Sequence, residues 1–577
     1  MTHVRLPDPR PDRIPHCGAA ARDRGHVRQA IETGRTRLVL SGALFAMGFL
    51  VIGLRLVDVT MFRQGAEPAL SSAPQADQLR MERADIVDRN GVILATSLET
   101  ASLYAHPKQV IDAAEAAKEL AAVLPDLDQQ ETAARLASNR AFVWIRRNLT
   151  PKQEYAVNRL GVPGLYFQRE DRRVYPYGAL ASHAVGFADI DNKGLAGAEN
   201  EFDAKLREGT RPLQLSLDIR VQNIVHEELA GAMREFDAAG AAGVVLDVRT
   251  GEVLAMVSLP DFDPNEPAAF DSEARFNRAT LGIYEMGSTF KIFTTAMALE
   301  SGVATIEDGY DASDPIRVAR FTIRDYKPKG RWLSIPEIFV YSSNIGAAKM
   351  ALDVGAARQR AFLGRLGLLQ PATIELPEVG SPMVPSPWRE INTMTVGYGH
   401  GLAVSPVQMA AAVAPMVNGG VLHPATLLKA AASGAQGARV LSEKTSDEIR
   451  RLMRLNVVEG TGTHAAVPGY LVGGKTGTAE KNADGNYNRK SLLSSFVASF
   501  PMNEPRYVVL VMLDEPKGNA ETHGYATGGW VAAPAAGAVI ARMASLVGIE
   551  PVDEEAPEIR EALNLDLSSR GRRLASY

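Results

Sequence analysis

An uncharged stretch near the amino terminus places the strongest constraint on how this chain can fold. Residues 38–54 read LVLSGALFAMGFLVIGL, 17 residues without a charge, and apolar residues continue to Phe62. As a helix the stretch would rise about 26 Å, near the short limit for crossing a bilayer. Eight arginines against four acidic residues precede it, and positive charge stays on the cytoplasmic side. We predict a single transmembrane anchor over 38–62 with all later residues exported; a cleaved signal peptide and a buried helix are the alternatives.

Composition excludes several classes of protein. The 577 residues are too many for one ordinary core, so two or more folded units are expected. A net charge of −5 argues against a nucleic-acid binder. Cys17 is the only cysteine in the sequence, and the ten histidines show no metal-ligating spacing. We therefore expect no disulfide framework, no metal site, no cofactor and no nucleic-acid partner.

The order of strand-like and helix-like segments after the anchor predicts an α+β fold. A linker-like stretch, 64–78, leads to a hairpin that turns at 88–91 and to helical sequence around 110–136. Strands are predicted at 241–248 and 252–258, and again at 493–500 and 506–513, with mostly helical sequence between them. We expect an antiparallel sheet closed by the first and last strands and flanked by helices. The charged sequence after Ile549 is expected to be ordered poorly.

The segment Ser288-Thr289-Phe290-Lys291 carries the first chemical signal. It begins an apolar segment, 286–302, that is predicted to be helical, and residues three apart on a helix share a face. A serine hydroxyl beside a neutral amine is a nucleophile beside its base. Burial and a second cation, for which Lys475 is the candidate, would favour the neutral amine. Taken alone, the pattern is a weak signal and fits better a helix-capping serine with a solvated lysine.

Two further segments change that balance. Ser342-Ser343-Asn344 lies between an apolar run and a predicted helix, and Lys475-Thr476-Gly477-Thr478 lies on a predicted strand. Ser-x-x-Lys, a Ser-x-Asn element and Lys-Thr-Gly, in this order, are the joint signature of penicillin-binding proteins and related β-lactamases. The same lysine also completes a P-loop pattern over 469–476, but the glycine-rich sequence that follows is poor helix material. We therefore reject an ATPase.

Each residue of the three motifs has a role in acyl transfer. Ser288 would attack a peptide carbonyl, and Lys291 would take its proton. The backbone N–H groups of Ser288 and Thr478 are the candidate donors to the oxyanion. Ser342 and Lys475 would relay a proton to the departing amine.

The remaining residues are predicted to hold the substrate. Asn344 would offer its amide to the substrate backbone. Thr476 and Thr478 would bind a terminal carboxylate, which the charge of Lys475 favours. Gly477 would let the substrate approach the strand as an added edge.

With these residues identified, the chain resembles the class B penicillin-binding proteins, peptidoglycan D,D-transpeptidases of the FtsI (cell division) type. Glu285 and the segment 479–481 favour the division branch over the elongation branch. The resemblance rests on seven segments: 86–95 (IVDRNGVILA), 175–178 (YPYG), 194–199 (GLAGAE), 277–291 (NRATLGIYEMGSTFK), 342–346 (SSNIG), 397–408 (GYGHGLAVSPVQ) and 473–481 (GGKTGTAEK).

The resemblance implies a domain order along the chain. The expected parts are a cytoplasmic Arg-rich segment (1–37), the transmembrane anchor (38–62), an elongated periplasmic scaffold, or pedestal, domain of the dimerisation type (63–215), a transpeptidase domain with a central antiparallel sheet (216–549) and a charged tail (550–577).

The resemblance also implies a function and a set of partners. The enzyme would cross-link peptidoglycan stem peptides in the periplasm, with a D-Ala-D-Ala donor and the amine of a neighbouring stem as acceptor. It would be acylated by β-lactam antibiotics. An FtsW-type glycosyltransferase and other divisome proteins would bind it at the inner membrane.

Two positions depart from the family pattern, and several alternative functions stay open. Ala84 and Met286 stand where the family usually has glycine and proline, and neither carries a catalytic atom. An elongation-type transpeptidase, a β-lactamase or β-lactam sensor, and a non-catalytic scaffold are the competing interpretations. A secreted hydrolase gains little from a large second domain and a retained anchor, and the intact motifs argue against a vestigial site.

Overall fold

The computed structural model describes residues 39–54, 83–209, 211–266, 271–318, 321–430, 437–483 and 486–565. The chain divides into two compact units, residues 1–80 and 81–577. In the first unit, residues 39–54 form helix α1. Within the described ranges, no helix has the length and apolar character needed to cross a membrane. The predicted Arg-rich segment, the linker 64–78, residues 38 and 55–62 of the predicted anchor and the end of the tail (566–577) lie outside the described residues.

The amino-terminal part of the second unit is a small sheet with short helices. Its strands are β1 (Ile86–Val87), β2 (Ile93–Ala105), β3 (Val143–Leu149), β4 (Leu165–Val174), β5 (Phe187–Ala188), β6 (Gly194–Ala196) and β7 (Leu213–Gln214). Its helices are α2 (Ala113–Val123), α3 (Gln129–Leu136), α4 (Pro151–Asn158), α5 (Ser182–Val185), α6 (Gly197–Glu201) and α7 (Asp203–Arg207).

The predicted hairpin at 88–91 is confirmed, and it begins this sheet. β1 pairs antiparallel with the start of β2, and the carboxylate of Asp88 accepts hydrogen bonds from the backbone N–H groups of Asn90 and Val92. A short polar side chain that binds its own turn in this way fixes the reversal of the chain. The long strand β2 also pairs antiparallel with β3 and with β4, and β1 pairs parallel with β7.

A buried ion cluster joins the elements of this part of the chain. The carboxylate of Glu199 on α6 accepts from Arg83 and from Arg173, each at 2.6 Å, and all three side chains are almost fully buried. Arg83 also contacts Asp203 at 2.7 Å. Glu199 therefore links two guanidinium groups, one from the chain before β1 and one from the end of β4, and Asp203 adds a second carboxylate to Arg83.

The larger part of the second unit contains the remaining elements. Its helices are α8 (Ile219–Glu235), α9 (Ser272–Arg275), α10 (Lys291–Glu300), α11 (Ile335–Val340), α12 (Asn344–Val354), α13 (Ala356–Arg365), α14 (Glu390–Gly397), α15 (Pro406–Val417), α16 (Glu443–Glu459), α17 (Ala532–Met543) and α18 (Pro557–Leu563). Its strands are β8 (Gly240–Asp247), β9 (Val253–Leu259), β10 (Gly309–Asp311), β11 (Ile316–Val318), β12 (Phe321–Ile323), β13 (Trp332–Ser334), β14 (Val421–Leu422), β15 (Ala438–Arg439), β16 (Gly473–Ala483), β17 (Asn486–Phe500) and β18 (Tyr507–Asp514).

The central sheet has the predicted antiparallel closure. Its strand order is β16-β17-β18-β8-β9, and every neighbouring pair is antiparallel. The early strand β8 therefore pairs with the late strand β18. Every residue of β8, β9 and β18 is buried, and alternate side chains belong to two separate apolar cores, one containing α8 and α17 and the other α10, α15 and α16. Burial on both faces explains why these strands read as continuous apolar runs.

The expectation of a poorly ordered tail is wrong up to Leu565. Before that residue the tail forms helix α18, whose Leu563 is buried in the same core as α10. Arg451 on α16 donates to the carbonyl of Ala562 at 2.9 Å. The charged composition conceals an amphipathic segment, in which Ile559, Leu563 and Leu565 face the domain.

Replacing Glu199 with alanine is expected to destabilise the second unit strongly. The change leaves two buried guanidinium groups without their shared carboxylate, and breaking a buried ion pair in this way costs about 3–5 kcal/mol. The free energy of unfolding in denaturant measures the loss. As a matched control, Glu131→Ala removes an exposed helical pair with Arg135 and should change it by less than about 0.5 kcal/mol. Equal effects of the two variants would contradict a structural role for the buried cluster.

Candidate active site

The candidate nucleophile sits on a tight turn between the central sheet and a second loop. Ser288 lies in a 3₁₀ turn, Gly287–Phe290, that leads directly into α10, so the predicted helix from 286 begins as this turn. Gly287 has a φ of +54°, and a Cβ there would lie 2.7 Å from the carbonyl oxygen of Thr478 on β16. Gly399 lies behind the turn, where a Cβ would come within 1.8 Å of the carbonyl oxygen of Gly287. Only glycine fits at these two positions.

Lys291 is surrounded by oxygen atoms from the first two motifs. Its Nζ lies 3.0 Å from Ser288 Oγ and 3.1 Å from Ser342 Oγ, and it donates to the Ser342 carbonyl and to Asn344 Oδ1, both at 2.7 Å. A carbonyl and an amide oxygen only accept hydrogen bonds. The two shortest contacts therefore occupy both N–H bonds of a neutral amine and leave its lone pair for the Ser288 hydroxyl.

The third motif brings a second buried lysine to the same place. Lys475 lies on β16, is fully buried, and donates to Ser342 Oγ at 3.1 Å. Burial lowers the pKa of Lys475 from 10.5 to about 7. Burial first, and the charge of Lys475 second, hold the pKa of Lys291 well below its usual range. Both causes named from the sequence, an apolar setting and a nearby cation, are thus present around Lys291.

The second motif is held in an unusual backbone conformation. Ser342 has a φ of +59°, in the left-handed region that residues other than glycine and asparagine rarely adopt. This conformation directs both its hydroxyl and its carbonyl oxygen at Lys291. Ser343 caps α12 by accepting from the N–H of Gly346. Asn344 donates to the carbonyl of Arg324 at 3.0 Å, which orients its amide.

The predicted substrate-binding residues line the strand beside this cluster. Thr476 Oγ1 is hydrogen-bonded to Thr461 Oγ1 at 2.7 Å, and Thr478 Oγ1 accepts from the N–H of Gly528 at 3.0 Å. Each threonine hydroxyl is therefore fixed in place by the chain. Because Lys475 and Thr476 lie on a sheet strand and open no helix, the P-loop pattern does not form a phosphate-binding turn.

Gly477 also has a structural reason within the chain itself. A Cβ there would lie 2.5 Å from the carbonyl oxygen of Met286 and 2.4 Å from Ser495 Oγ. That face of the strand is filled by the chain, whereas the predicted approach of a substrate would be along the free edge of β16. The glycine lets β16 pack against the turn that carries Ser288.

Sequence reasoning missed Asp325, which follows β12 and is 9% exposed. Its carboxylate accepts from Ser343 Oγ at 2.8 Å and from the N–H of Ile345 at 3.0 Å. It belongs to none of the three motifs, and it lies 18 residues before Ser343. No spacing signal in the chain links the two.

Comparisons with known proteins agree with this geometry. The family model for the penicillin-binding protein transpeptidase domain matches residues 241–541, and that for the penicillin-binding protein dimerisation domain matches residues 79–222. A probable peptidoglycan D,D-transpeptidase FtsI from Caulobacter vibrioides is 41% identical over 547 residues, which cover 92% of each chain. The chain belongs to the class B penicillin-binding proteins. The family resemblance inferred from the motifs is therefore confirmed.

Two further relatives support the same assignment. A probable peptidoglycan D,D-transpeptidase PenA from Neisseria meningitidis is 34% identical over 553 residues, covering 90% of this chain and 94% of that protein. The crystal structure of penicillin-binding protein 3 from Mycobacterium tuberculosis, complexed with aztreonam, matches with a TM-score of 0.64 at 25% identity. That match covers 82% of this chain and 98% of the other. This penicillin-binding protein therefore has the two-domain fold of its family, with a mixed α/β architecture and a central sheet.

Met286, the departure from the family pattern nearest to Ser288, is buried beside the turn. Its side chain is 1% exposed, and its carbonyl oxygen accepts from Thr289 Oγ1 at 2.8 Å. This hydrogen bond closes the turn that carries Ser288. The other departure, Ala84, lies beside the buried ion cluster, where Arg173 donates to its carbonyl at 2.9 Å.

Replacing Lys475 with methionine is expected to raise the thermal unfolding midpoint in a pH-dependent manner. Between about pH 7 and 10.5 the lysine is protonated in the unfolded chain but neutral in the folded one. Burying the ammonium therefore lowers the free energy of unfolding by its full amount below pH 7, on the order of several kcal/mol. This loss becomes smaller as the pH rises toward 10.5. Thermal melts at several pH values in this window should show the difference between variant and wild type narrowing with pH.

The exposed Lys118 provides the matched control for this measurement. Its side chain is 65% exposed, so Lys118→Met should shift the unfolding midpoint little and by the same amount at every pH. If the difference in unfolding midpoint between Lys475→Met and the wild type stayed constant with pH, burial would not suppress the charge of Lys475.

Proposed function

We propose that this penicillin-binding protein is a serine D,D-transpeptidase that forms an acyl-enzyme on Ser288 and cross-links peptidoglycan stem peptides. The observation that carries the proposal is the position of Lys291. Its Nζ is 3.0 Å from Ser288 Oγ, its pKa is held low by burial and by Lys475, and two acceptors at 2.7 Å take its N–H bonds. A lone pair directed at a hydroxyl is what a general base requires.

The acylation step moves one proton and exchanges one bond. Lys291 takes the hydroxyl proton as Ser288 Oγ attacks the carbonyl of the penultimate D-Ala. The backbone N–H groups of Ser288 and Thr478 stabilise the oxyanion, and the close packing of Gly287 against Thr478 brings these two segments together. The C–N bond then breaks, and the terminal D-Ala leaves as an amine after receiving a proton.

Ser342 supplies the path for that proton. Its hydroxyl lies 3.1 Å from both Lys291 Nζ and Lys475 Nζ, so a proton taken from Ser288 passes through Ser342 to the leaving amine. In the second step the amine of a neighbouring stem attacks the acyl-enzyme, gives its proton back along the same path, and restores Ser288. Lys291 alternates between neutral and charged forms and returns to the neutral form at the end of the cycle.

The third motif and Asn344 hold the donor strand. Thr476 and Thr478 donate their fixed hydroxyls to the substrate's terminal carboxylate, and Lys475 adds positive charge. Asn344 binds the substrate backbone through its amide. A β-lactam carries an anionic group and a strained amide in the same relation, so these residues also bind the antibiotic. The complex of the Mycobacterium tuberculosis relative with aztreonam supports this part of the proposal.

The cellular part of the proposal follows from the similarity to FtsI-type relatives. Membrane anchoring through 38–62 would place the catalytic part in the periplasm, with the pedestal at 63–215, the transpeptidase domain at 216–549 and the tail at 550–577. Septal synthesis together with an FtsW-type glycosyltransferase and other divisome proteins is favoured by the 41% identity to FtsI of Caulobacter vibrioides. The 31% identity to the stage V sporulation protein D of Bacillus subtilis keeps a non-septal role as the second candidate.

Replacing Ser288 with alanine is expected to abolish covalent labelling by a fluorescent penicillin. The variant loses the attacking oxygen but retains the turn and the buried lysines, so its circular dichroism spectrum should be unchanged. The labelled band after denaturing electrophoresis provides the measurement. Ser301→Ala, at the other end of α10, is the matched control and should be labelled like the wild type.

The rate of release distinguishes a transpeptidase from a β-lactamase. The wild type should show a burst of acylation equal to the enzyme concentration, followed by very slow release. Persistent labelling of Ser288→Ala would place the nucleophile elsewhere. Rapid turnover of penicillin by the wild type would instead identify a hydrolase.

A fluorescent fusion of the full-length protein is expected to concentrate at midcell in dividing cells. Recruitment by division proteins would produce this pattern, whereas an elongation enzyme would be distributed along the side wall. Fluorescence microscopy through one division cycle makes the distinction. The Ser288→Ala fusion should localise in the same way, since recruitment does not require acylation.

A further inference from the structure

A short segment before the second motif contributes three hydrogen bonds to the motif and the residue that follows it. Arg324 and Asp325 follow β12. The Asp325 carboxylate accepts from Ser343 Oγ at 2.8 Å and from the N–H of Ile345 at 3.0 Å. The carbonyl of Arg324 accepts from Asn344 Nδ2 at 3.0 Å. Three consecutive residues of the motif region are thus bound by two consecutive residues that belong to no motif.

The contact with Arg324 decides which end of the Asn344 amide faces Lys291. Because a carbonyl oxygen only accepts, the amide nitrogen must point toward Arg324 and the amide oxygen away from it. The oxygen then lies 2.7 Å from Lys291 Nζ. If the amide were reversed, its N–H groups would face the N–H groups of Lys291, and Lys291 would lose this hydrogen-bond acceptor.

The contacts with Asp325 hold the turn in which Ser342 is strained. The left-handed φ of +59° at Ser342 persists only where the surroundings fix it. The two hydrogen bonds from Asp325 fix the side chain of Ser343 and the backbone of Ile345, immediately after the strained residue. The buried carboxylate also lies at the amino terminus of α12, where a negative charge is favoured.

We propose that Asp325, together with the carbonyl of Arg324, is the positioning residue of the active site, which holds the 342–344 turn so that Ser342 and Asn344 face Lys291. The inference rests on the proposed acyl-transfer function and adds to it a residue outside the three motifs. Asp325 does not touch the substrate in this mechanism. It acts through Ser343, Asn344 and the backbone of Ile345.

The charge of Asp325 has a second effect on the same lysine. The charged and titratable groups around Lys291 are Lys475 on β16, Asp325 after β12, and His400 after α14. Burial and Lys475 lower the pKa of Lys291, whereas Asp325 raises it. His400 has a pKa lowered to about 4 by burial and is neutral at pH 7. Removing the negative charge of Asp325 therefore lowers the pKa of Lys291 further, and the neutral base forms at lower pH.

Three variants separate the two effects in the full-length protein. Asp325→Asn keeps the shape and removes the charge. Ser343→Ala keeps the charge and removes the hydrogen bond from the Ser343 hydroxyl to Asp325, together with the cap that this hydroxyl places on α12. Asp325→Ala removes both the charge and the hydrogen bonds of Asp325. For each variant, stopped-flow measurements with a chromogenic penicillin yield the dissociation constant of the non-covalent complex and the first-order acylation rate constant, and active-site titration yields the active fraction.

Asp325→Ala should lower the acylation rate constant about 100-fold, as expected when reacting groups are misplaced, with the active fraction unchanged. Ser343→Ala should lower it less, without a shift in the pH profile. Asp325→Asn should move the acidic limb of the rate profile to lower pH. Asp311→Asn, an exposed aspartate on β10, is the matched control and should behave like the wild type.

The outcomes that overturn the inference differ from those that overturn the proposed function. If Asp325→Ala and Ser343→Ala both had the acylation rate constant of the wild type, the positioning role would be wrong. If Asp325→Ala does not fold, the rate constant of Ser343→Ala alone decides the positioning role. A loss confined to the active fraction would show a merely structural role. If the acidic limb of the acylation rate profile of Asp325→Asn stayed in place or moved to higher pH, Asp325 would not raise the pKa of Lys291. Labelling of Ser288→Ala would instead remove the function on which all of this rests.

Discussion

Two buried lysines that share one serine hydroxyl are the interaction on which the rest of the site depends. Neither Lys291 nor Lys475 forms an ion pair with a carboxylate among the described residues, and both reach Ser342 Oγ at 3.1 Å. Desolvation lowers the pKa of both lysines, and the charge of Lys475 lowers that of Lys291 further, so the neutral amine becomes accessible. The same two causes oppose folding. The protein therefore keeps a destabilising arrangement at the point where its chemistry requires it, and the large apolar cores on both faces of the sheet offset the cost.

The fold brings the three motifs together by three different routes. Ser288 and Lys291 are local, on a turn and the helix that follows it. Lys475 arrives on the edge strand β16 of a sheet whose closure pairs β8 with β18. Ser342 depends on a strained turn between α11 and α12. The turn that carries Ser342 has the least support from regular structure. Hydrogen bonds from Arg324 and Asp325 hold it, whereas a helix or a strand holds the other two motifs.

Much of this was accessible from the sequence, because the signals involved are local. The strands β8, β9 and β18 are largely apolar runs, and the catalytic motifs are short and ordered along the chain. Asp325 was not accessible, because its role appears only when the chain folds back on α12. The close packing of Gly477 could not be predicted either, because it involves atoms of Met286 and Ser495, which are distant in sequence. Helix α18 was missed because charge dominates its composition, although its apolar residues share one face.

The close packing of Gly399 against Gly287 has a consequence for how this enzyme could change under antibiotic pressure. The serine turn is supported from behind by the loop that carries Gly399. Substitutions elsewhere in that loop would shift the nucleophile without changing any residue of the three motifs. Reduced susceptibility would then arise from residues outside the motifs, and surveillance of resistant isolates should include the loop.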